Sequence, residues 1–173
     1  MADQEPASSG NGSGENTNEP QVSILAQYIK DLSVENPSSP QVFSWQVQPS
    51  LDVQFNIAVS GAAESVHEVI LKIDVTARSE NGVHFVVDLS YAGLFGLRNL
   101  PEEALQPFLL IEAPRLLFPF ARQIIAEAVS STGFPPLLLD PIDFAGPYMA
   151  QLQQQGSPGE AQSPAGGDGT GQA

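Results

Sequence analysis

The amino-acid sequence predicts an α+β fold, a four-stranded antiparallel sheet with helices packed on one side. Three segments between residues 51 and 91 alternate apolar and polar side chains with the period of a half-buried strand. A helical pattern is also possible at residues 22–30, where the later alternation favours a strand, and the other helical patterns follow after residue 100. Strands and helices are therefore segregated along the chain. This order favours a meander whose apolar face is covered by the later helices.

The first predicted strand, Val22–Glu35, is apolar on both faces, because Leu25 and Ile29 have the opposite parity to most of its other apolar residues. Such a pattern is typical of a strand buried on both sides. Residues 36–50 contain three prolines among aromatic side chains, and proline blocks regular structure. We therefore expect a long loop there, and its aromatic content argues against disorder.

The next three strands are predicted over residues 51–60, 68–77 and 83–91. A two-residue Asn81-Gly82 turn would place Val75 opposite Asp88 and mix the apolar and polar faces. An odd-length loop over residues 80–82 keeps the faces separate, with Gly82 left-handed in a bulge. The pattern thus indicates a meander with one face open to water.

Helices are predicted in three places. A short helix starts after Pro101, and a longer one runs from Pro114 to Gly133 with a kink at Pro119. Asp143 is suited to cap a short last helix, which the Gly-Pro pair at 146–147 weakens.

Both ends of the chain are polar, so we expect disordered tails at 1–20 and 156–173 around one folded domain at 21–155. Six of the 20 acids and none of the 6 bases lie in those tails, which leaves the domain at −8. An acidic surface repels nucleic acid and anionic lipid, so neither is an expected partner. It suits a basic protein partner, or it keeps the protein soluble.

The residues for bond chemistry are sparse. The chain has no cysteine, and His67 and His84 are not spaced as a metal-binding pair. No phosphate loop is present, so the sequence predicts no metal, no cofactor and no enzymatic activity. The N-terminus lacks a signal peptide pattern and no apolar run could cross a bilayer, so we expect a soluble intracellular protein without membrane insertion.

Several aromatic and apolar side chains instead lie in proline-rich backbone. They are either core residues or the lining of a groove for varied apolar ligands. The set comprises Phe43, Trp45, Phe55, Phe134 and residues 137–139. A small-molecule enzyme that uses the cavity between sheet and helices, and a scaffold that uses only the acidic surface, remain alternatives.

Three motifs carry a resemblance to a known family: YIKDLSVENP at 28–37, LLFPFAR at 116–122 and GFPPLLLDPIDF at 133–144. In this order they are similar to SecB, the bacterial export chaperone family, over about residues 21–155. The resemblance implies a cytoplasmic homotetramer, built as a dimer of dimers, that hydrolyses nothing. It implies binding of unfolded precursor proteins and their delivery to the motor ATPase SecA. A toxin-linked chaperone of the same family is a further alternative.

The resemblance also implies two kinds of binding residue. For SecA, Asp31 and Glu35 match the family's acidic positions, and Glu80 lies about one residue from a third. For clients, we expect a groove between the proline-rich loop, the second strand and the segment after Gly133. Its predicted lining is Phe43, Trp45, Leu51, Val53, Phe55, Phe134, Leu137 and Leu139. Val47 stands where the family usually has tryptophan, so the groove wall around Trp45 is expected to differ.

Overall fold

The computed structural model describes residues 18–155, so the two expected polar tails lie outside it except for residues 18–20. Four antiparallel strands form a single sheet in the order β1-β4-β3-β2. The strands are β1 (Gln21–Glu35), β2 (Ser50–Ala63), β3 (Val66–Ser79) and β4 (Gly82–Arg98). A single 3-10 turn, Gln41–Ser44, interrupts the proline-rich loop between β1 and β2.

The helices are α1 (Glu102–Pro107), α2 (Ala113–Ser131) and α3 (Ala145–Gln155). A π-helical turn, Phe108–Glu112, joins α1 to α2, which the sequence pattern did not predict. Pro114 has no N–H for the carbonyl of residue 110, and the wider turn lets Ala113 donate to the carbonyl of Phe108 instead. Helix α2 continues through Pro119, and Gly133 follows its end with a φ of 92°.

The core lies between the sheet and α2, which confirms the predicted α+β class. One face of β3 and β4 is fully covered, and α2 contributes a stripe of side chains three or four residues apart. The innermost side chains are Leu71, Ile73, Val75, Val87, Leu89, Phe95, Leu117 and Ile125. Each buries apolar surface that stabilises the fold by about 1.5–3 kcal/mol.

The hairpin between β3 and β4 keeps its apolar face intact in a different way from the predicted one. Ser79 pairs with Gly82 across a two-residue turn, whereas Val75 pairs with Val87. The extra residue lies on β4 at His84, where the register shifts. The requirement for an odd residue was therefore right, but a bulge inside β4 supplies it instead of a three-residue loop.

Strand β1 also differs from expectation. It lies at the edge of the sheet and is largely exposed, because α2 packs mainly on β3 and β4. Register shifts at Leu25 and Lys30 change the parity twice, so Ile29 pairs with the buried face of β4 at Tyr91. The apolar residues of β1 that share this helix-covered face are Val22, Ile24, Ile29, Leu32 and Val34. Simple alternation assigned them to two faces.

Candidate functional site

An aromatic pocket of about 550 Å³ lies where the proline-rich loop meets β4 and the segment after Gly133. Phe134 is its centre, with ring centroids 5.6 Å from Phe43 and 5.2 Å from Phe85. Phe43 keeps 55% of its surface exposed, and Trp45 is half-buried. Aromatic faces on an open pocket accept apolar groups of varied shape, because burial is not directional.

His84 belongs to this pocket, although the alternation of β4 assigned it to the polar face. The bulge turns it towards the helix side, where it is 3% exposed. Its ring lies 5.0 Å from the Trp45 ring, edge to face, and its Nε2 is 2.8 Å from the Ser79 Oγ. His84 is therefore a buried histidine with a hydrogen-bond partner, and its place in the pocket was not predicted from the sequence.

Two further pockets continue from this one along β2. A pocket of about 390 Å³ lies between Leu51, Val53 and Phe55 and the extended segment 137–142. Another, of about 450 Å³, shares Phe55 with it and is closed by the π-helical turn and α3. Together the three pockets form a channel beside β2, which we call the β2 channel.

The predicted groove residues therefore fall together along the β2 channel, at different depths. Leu51 and Phe55 are exposed on β2, while Val53, Phe134 and Leu137 are half-buried. Leu139 is only 6% exposed and forms the floor of its pocket, whereas Leu138 beside it is 64% exposed. The lining residues that were not anticipated include Leu110, Ile142 and Tyr148. Leu110 lies in the π-helical turn, which the sequence pattern did not predict.

The opposite face of the sheet carries the acidic residues. Asp31 and Glu35 lie on β1 in the register that also brings Asp74 and Asp88 side by side on β3 and β4. Burial and the charge of Asp74 raise the pKa of Asp88, with smaller contributions from Glu35 and Asp31. Glu80 is exposed at the turn that borders this face. Asp74 and Asp88 are thus two additional members of the predicted acidic surface.

Towards the other end of the same face, Glu68 is held by two groups from β1. Lys30 forms an ion pair of 2.8 Å with its carboxylate, and Tyr28 donates a hydrogen bond to it. The hydrogen bond from Lys30 is the main reason that the pKa of Glu68 is lowered. This carboxylate is therefore already paired, unlike the acidic group around Asp88.

A third surface is apolar and lies beside α2. The helix-side residues of β1 lack cover: Ile29, for example, is 47% exposed. Phe120 of α2 is also exposed and stacks on Tyr91, whose partner across the strands is Ile29. The uncovered residues of this patch are Val22, Ile24, Ile29, Leu32, Leu116 and Phe120.

Within residues 18–155, no group of three or more His, Cys, Asp or Glu residues is arranged to hold a metal ion. None of the helices in that range is both long enough and apolar enough to span a membrane.

Comparison with known proteins identifies the family. Residues 15–155 match the family described as preprotein translocase subunit SecB. The chain belongs to the SecB family. The protein-export protein SecB of Zymomonas mobilis is 59% identical over 136 residues, which cover 79% of this chain and 83% of that protein. That of Sphingopyxis alaskensis is 56% identical over 140 residues, or 81% of each.

A solved structure agrees in fold. The SecB-like chaperone of Mycobacterium tuberculosis, in complex with a ChAD peptide from the HigA1 antitoxin, is similar with a TM-score of 0.59 at 18% identity. The likeness covers 70% of this chain and 90% of that one. Family membership makes this protein a protein-export chaperone, and the family is not one of enzymes.

Proposed function

We propose that this protein holds unfolded precursor proteins in the β2 channel and transforms none of them. The observation that carries the proposal is an open, apolar channel in which Phe43, Leu51 and Phe55 remain exposed. Exposed apolar surface of this kind is unfavourable in water unless a ligand covers it. Its aromatic walls suit many side chains, so we expect low sequence specificity.

One channel alone should bind weakly. Each client side chain that enters contributes about 1.5–3 kcal/mol, and ordering an unfolded segment costs several kcal/mol of that gain. Several channels on one particle convert later binding steps into intramolecular ones and raise the overall affinity. We therefore expect long, unfolded chains to bind tightly, because they occupy several channels, and short peptides to bind weakly, because they occupy one.

An assembly of four copies, a dimer of dimers, supplies those channels in the proposal. The apolar patch that joins β1 to Phe120 of α2 is not covered by any part of residues 18–155. Stable assemblies bury surfaces of this kind between copies. Static light scattering at micromolar concentration should give four times the chain mass, and a monomer would refute the assembly.

The acidic face is the proposed docking site for SecA, the motor ATPase of protein export, in the cytoplasm. Asp31, Glu35, Asp74 and Asp88 gather negative charge on the sheet face away from α2. Such a surface attracts a basic partner and sets the rate and orientation of encounter. The client channel and the motor site then lie on opposite sides of one sheet, so both can be occupied together.

Suppression of aggregation tests the central proposal. A chemically denatured secretory precursor, diluted into buffer, should stay soluble when this protein is present in slight excess. The same precursor in its folded state should not bind, because its apolar side chains are already buried. A small-molecule enzyme or an acidic scaffold would leave aggregation unchanged, and that result would overturn the proposal.

A further inference from the structure

Strand β2 leaves one edge of the sheet unpaired along its whole length. Within residues 18–155 it pairs with β3 alone, so alternate residues direct their N–H and C=O groups away from the sheet. Among residues 18–155, the backbone hydrogen bonds outside the regular elements lie elsewhere, and none joins β2 to the segment 137–142. These donors and acceptors are therefore available to another polypeptide backbone.

This edge also lacks the usual protection. Exposed edges are normally blunted by proline, lysine or bulges, which prevent pairing with other chains. From Ser50 to Gly61, β2 holds no proline, lysine or arginine, and its register with β3 is unbroken. The other edge, β1, has two register shifts and Lys30 at one of them. The contrast makes β2 the edge that is fit to accept a strand.

The β2 channel lies directly beside this edge. Leu51, Val53 and Phe55 point to its side of the sheet, since they pair with buried residues of β3. A strand added to β2 would place every second side chain on the same face, opposite the wall formed by residues 137–142. Backbone and side-chain recognition would then act on one extended segment.

We infer that a client is bound as an added strand, paired backbone to backbone with the free edge of β2. The inference rests on the function proposed above and specifies which groups of a client are recognised. Main-chain hydrogen bonds are the same for every sequence, whereas the pockets take the apolar side chain at each second position. Helical segments and strands already paired on both sides are excluded, because their backbone groups are occupied. Pairing through the backbone therefore distinguishes unfolded from folded chains and does not depend on the amino-acid sequence of the client.

Backbone methylation of a short peptide tests the inference. A ten-residue peptide with apolar side chains at alternate positions is compared with two N-methylated forms, one methylated on odd residues and one on even residues. The alternation fixes which side chains enter the channel, and for a strand added in one direction the N–H groups that face β2 then all have one parity. Each lost hydrogen bond costs about 1 kcal/mol, so the five methyl groups of the affected form should weaken its binding by at least roughly a hundredfold. The other form should bind like the unmodified peptide.

Equal affinity of all three peptides would overturn strand addition while leaving the client site in place. Equal loss in both methylated forms would also overturn it, since an added strand uses only one side of its backbone. Failure of all three to bind at millimolar peptide would overturn the inference, whereas the proposed function is refuted separately, by a denatured precursor that this protein does not keep soluble. Residue-resolved hydrogen exchange gives a second readout: alternate amides of β2 should become protected on peptide binding, and unchanged exchange there would contradict the inference.

Discussion

The double substitution Phe55→Asp with Leu137→Asp should weaken capture of an unfolded precursor. Phe55 is 38% exposed and is shared by two pockets of the β2 channel, and Leu137 is shared by the aromatic pocket and its neighbour. Client side chains on this wall each contribute about 1.5–3 kcal/mol, and each new carboxylate would have to be desolvated as well. A loss of about 3 kcal/mol corresponds to roughly a hundredfold in Kd for one channel.

Isothermal titration calorimetry with a denatured precursor measures this loss directly. Light scattering of the same sample should show an unchanged particle mass, because neither residue belongs to the apolar patch beside α2. The matched control is Leu25→Asp, which changes a side chain that is 54% exposed on the other face of the sheet. Wild-type affinity in the double variant, or an equal loss in the control, would refute the assignment of the client site.

Charge reversal by Asp31→Lys with Glu35→Lys should abolish most binding of SecA. Binding of the wild-type protein should weaken with added salt, because the screening length of charges is only about 8 Å at physiological ionic strength. A salt-independent complex in a binding titration would contradict this. Asp88 has a raised pKa, so the folded state holds its proton more tightly than the unfolded state, and stability should fall as pH rises from the ordinary aspartate pKa through the raised one. Asp74→Asn should flatten that fall and stabilise the protein at neutral pH by about 0.2–1 kcal/mol in urea unfolding, and a steeper pH dependence would count against it. Gly93→Ala would place a Cβ 2.7 Å from two core side chains and should destabilise by about 1–3 kcal/mol, visible as a lower urea midpoint.

The local sequence pattern was sufficient to locate those strands that follow simple alternation of apolar and polar residues. The segments 51–60, 68–77 and 83–91 all lie in strands as predicted, because the period of two needs no knowledge of the neighbours. The bulges at Leu25, Lys30 and His84 were not accessible from local pattern, since a bulge is defined by the strand it faces. The sequence pattern consequently assigned His84 and Ile29 to the wrong face of the sheet.

The candidate site shows the same division. The aromatic loop and the segment after Gly133 could be recognised by their composition, but the run of three leucines at 137–139 has no period that separates floor from rim. Only the packing of the extended segment makes Leu139 buried and Leu138 exposed. The pairing of Asp74 with Asp88, by contrast, already follows from the predicted odd-length loop, because that loop and the observed bulge give the same register in this part of the hairpin.

The edge-to-face contact between Trp45 and His84 has a practical consequence. Trp45 is the single tryptophan of the chain, and it stands half-buried in the aromatic pocket. Displacing water from the indole, or shifting it against the imidazole, alters the polarity that governs its emission. Intrinsic tryptophan fluorescence should therefore report whether the channel is occupied, so that polypeptide binding can be followed in real time without an attached dye.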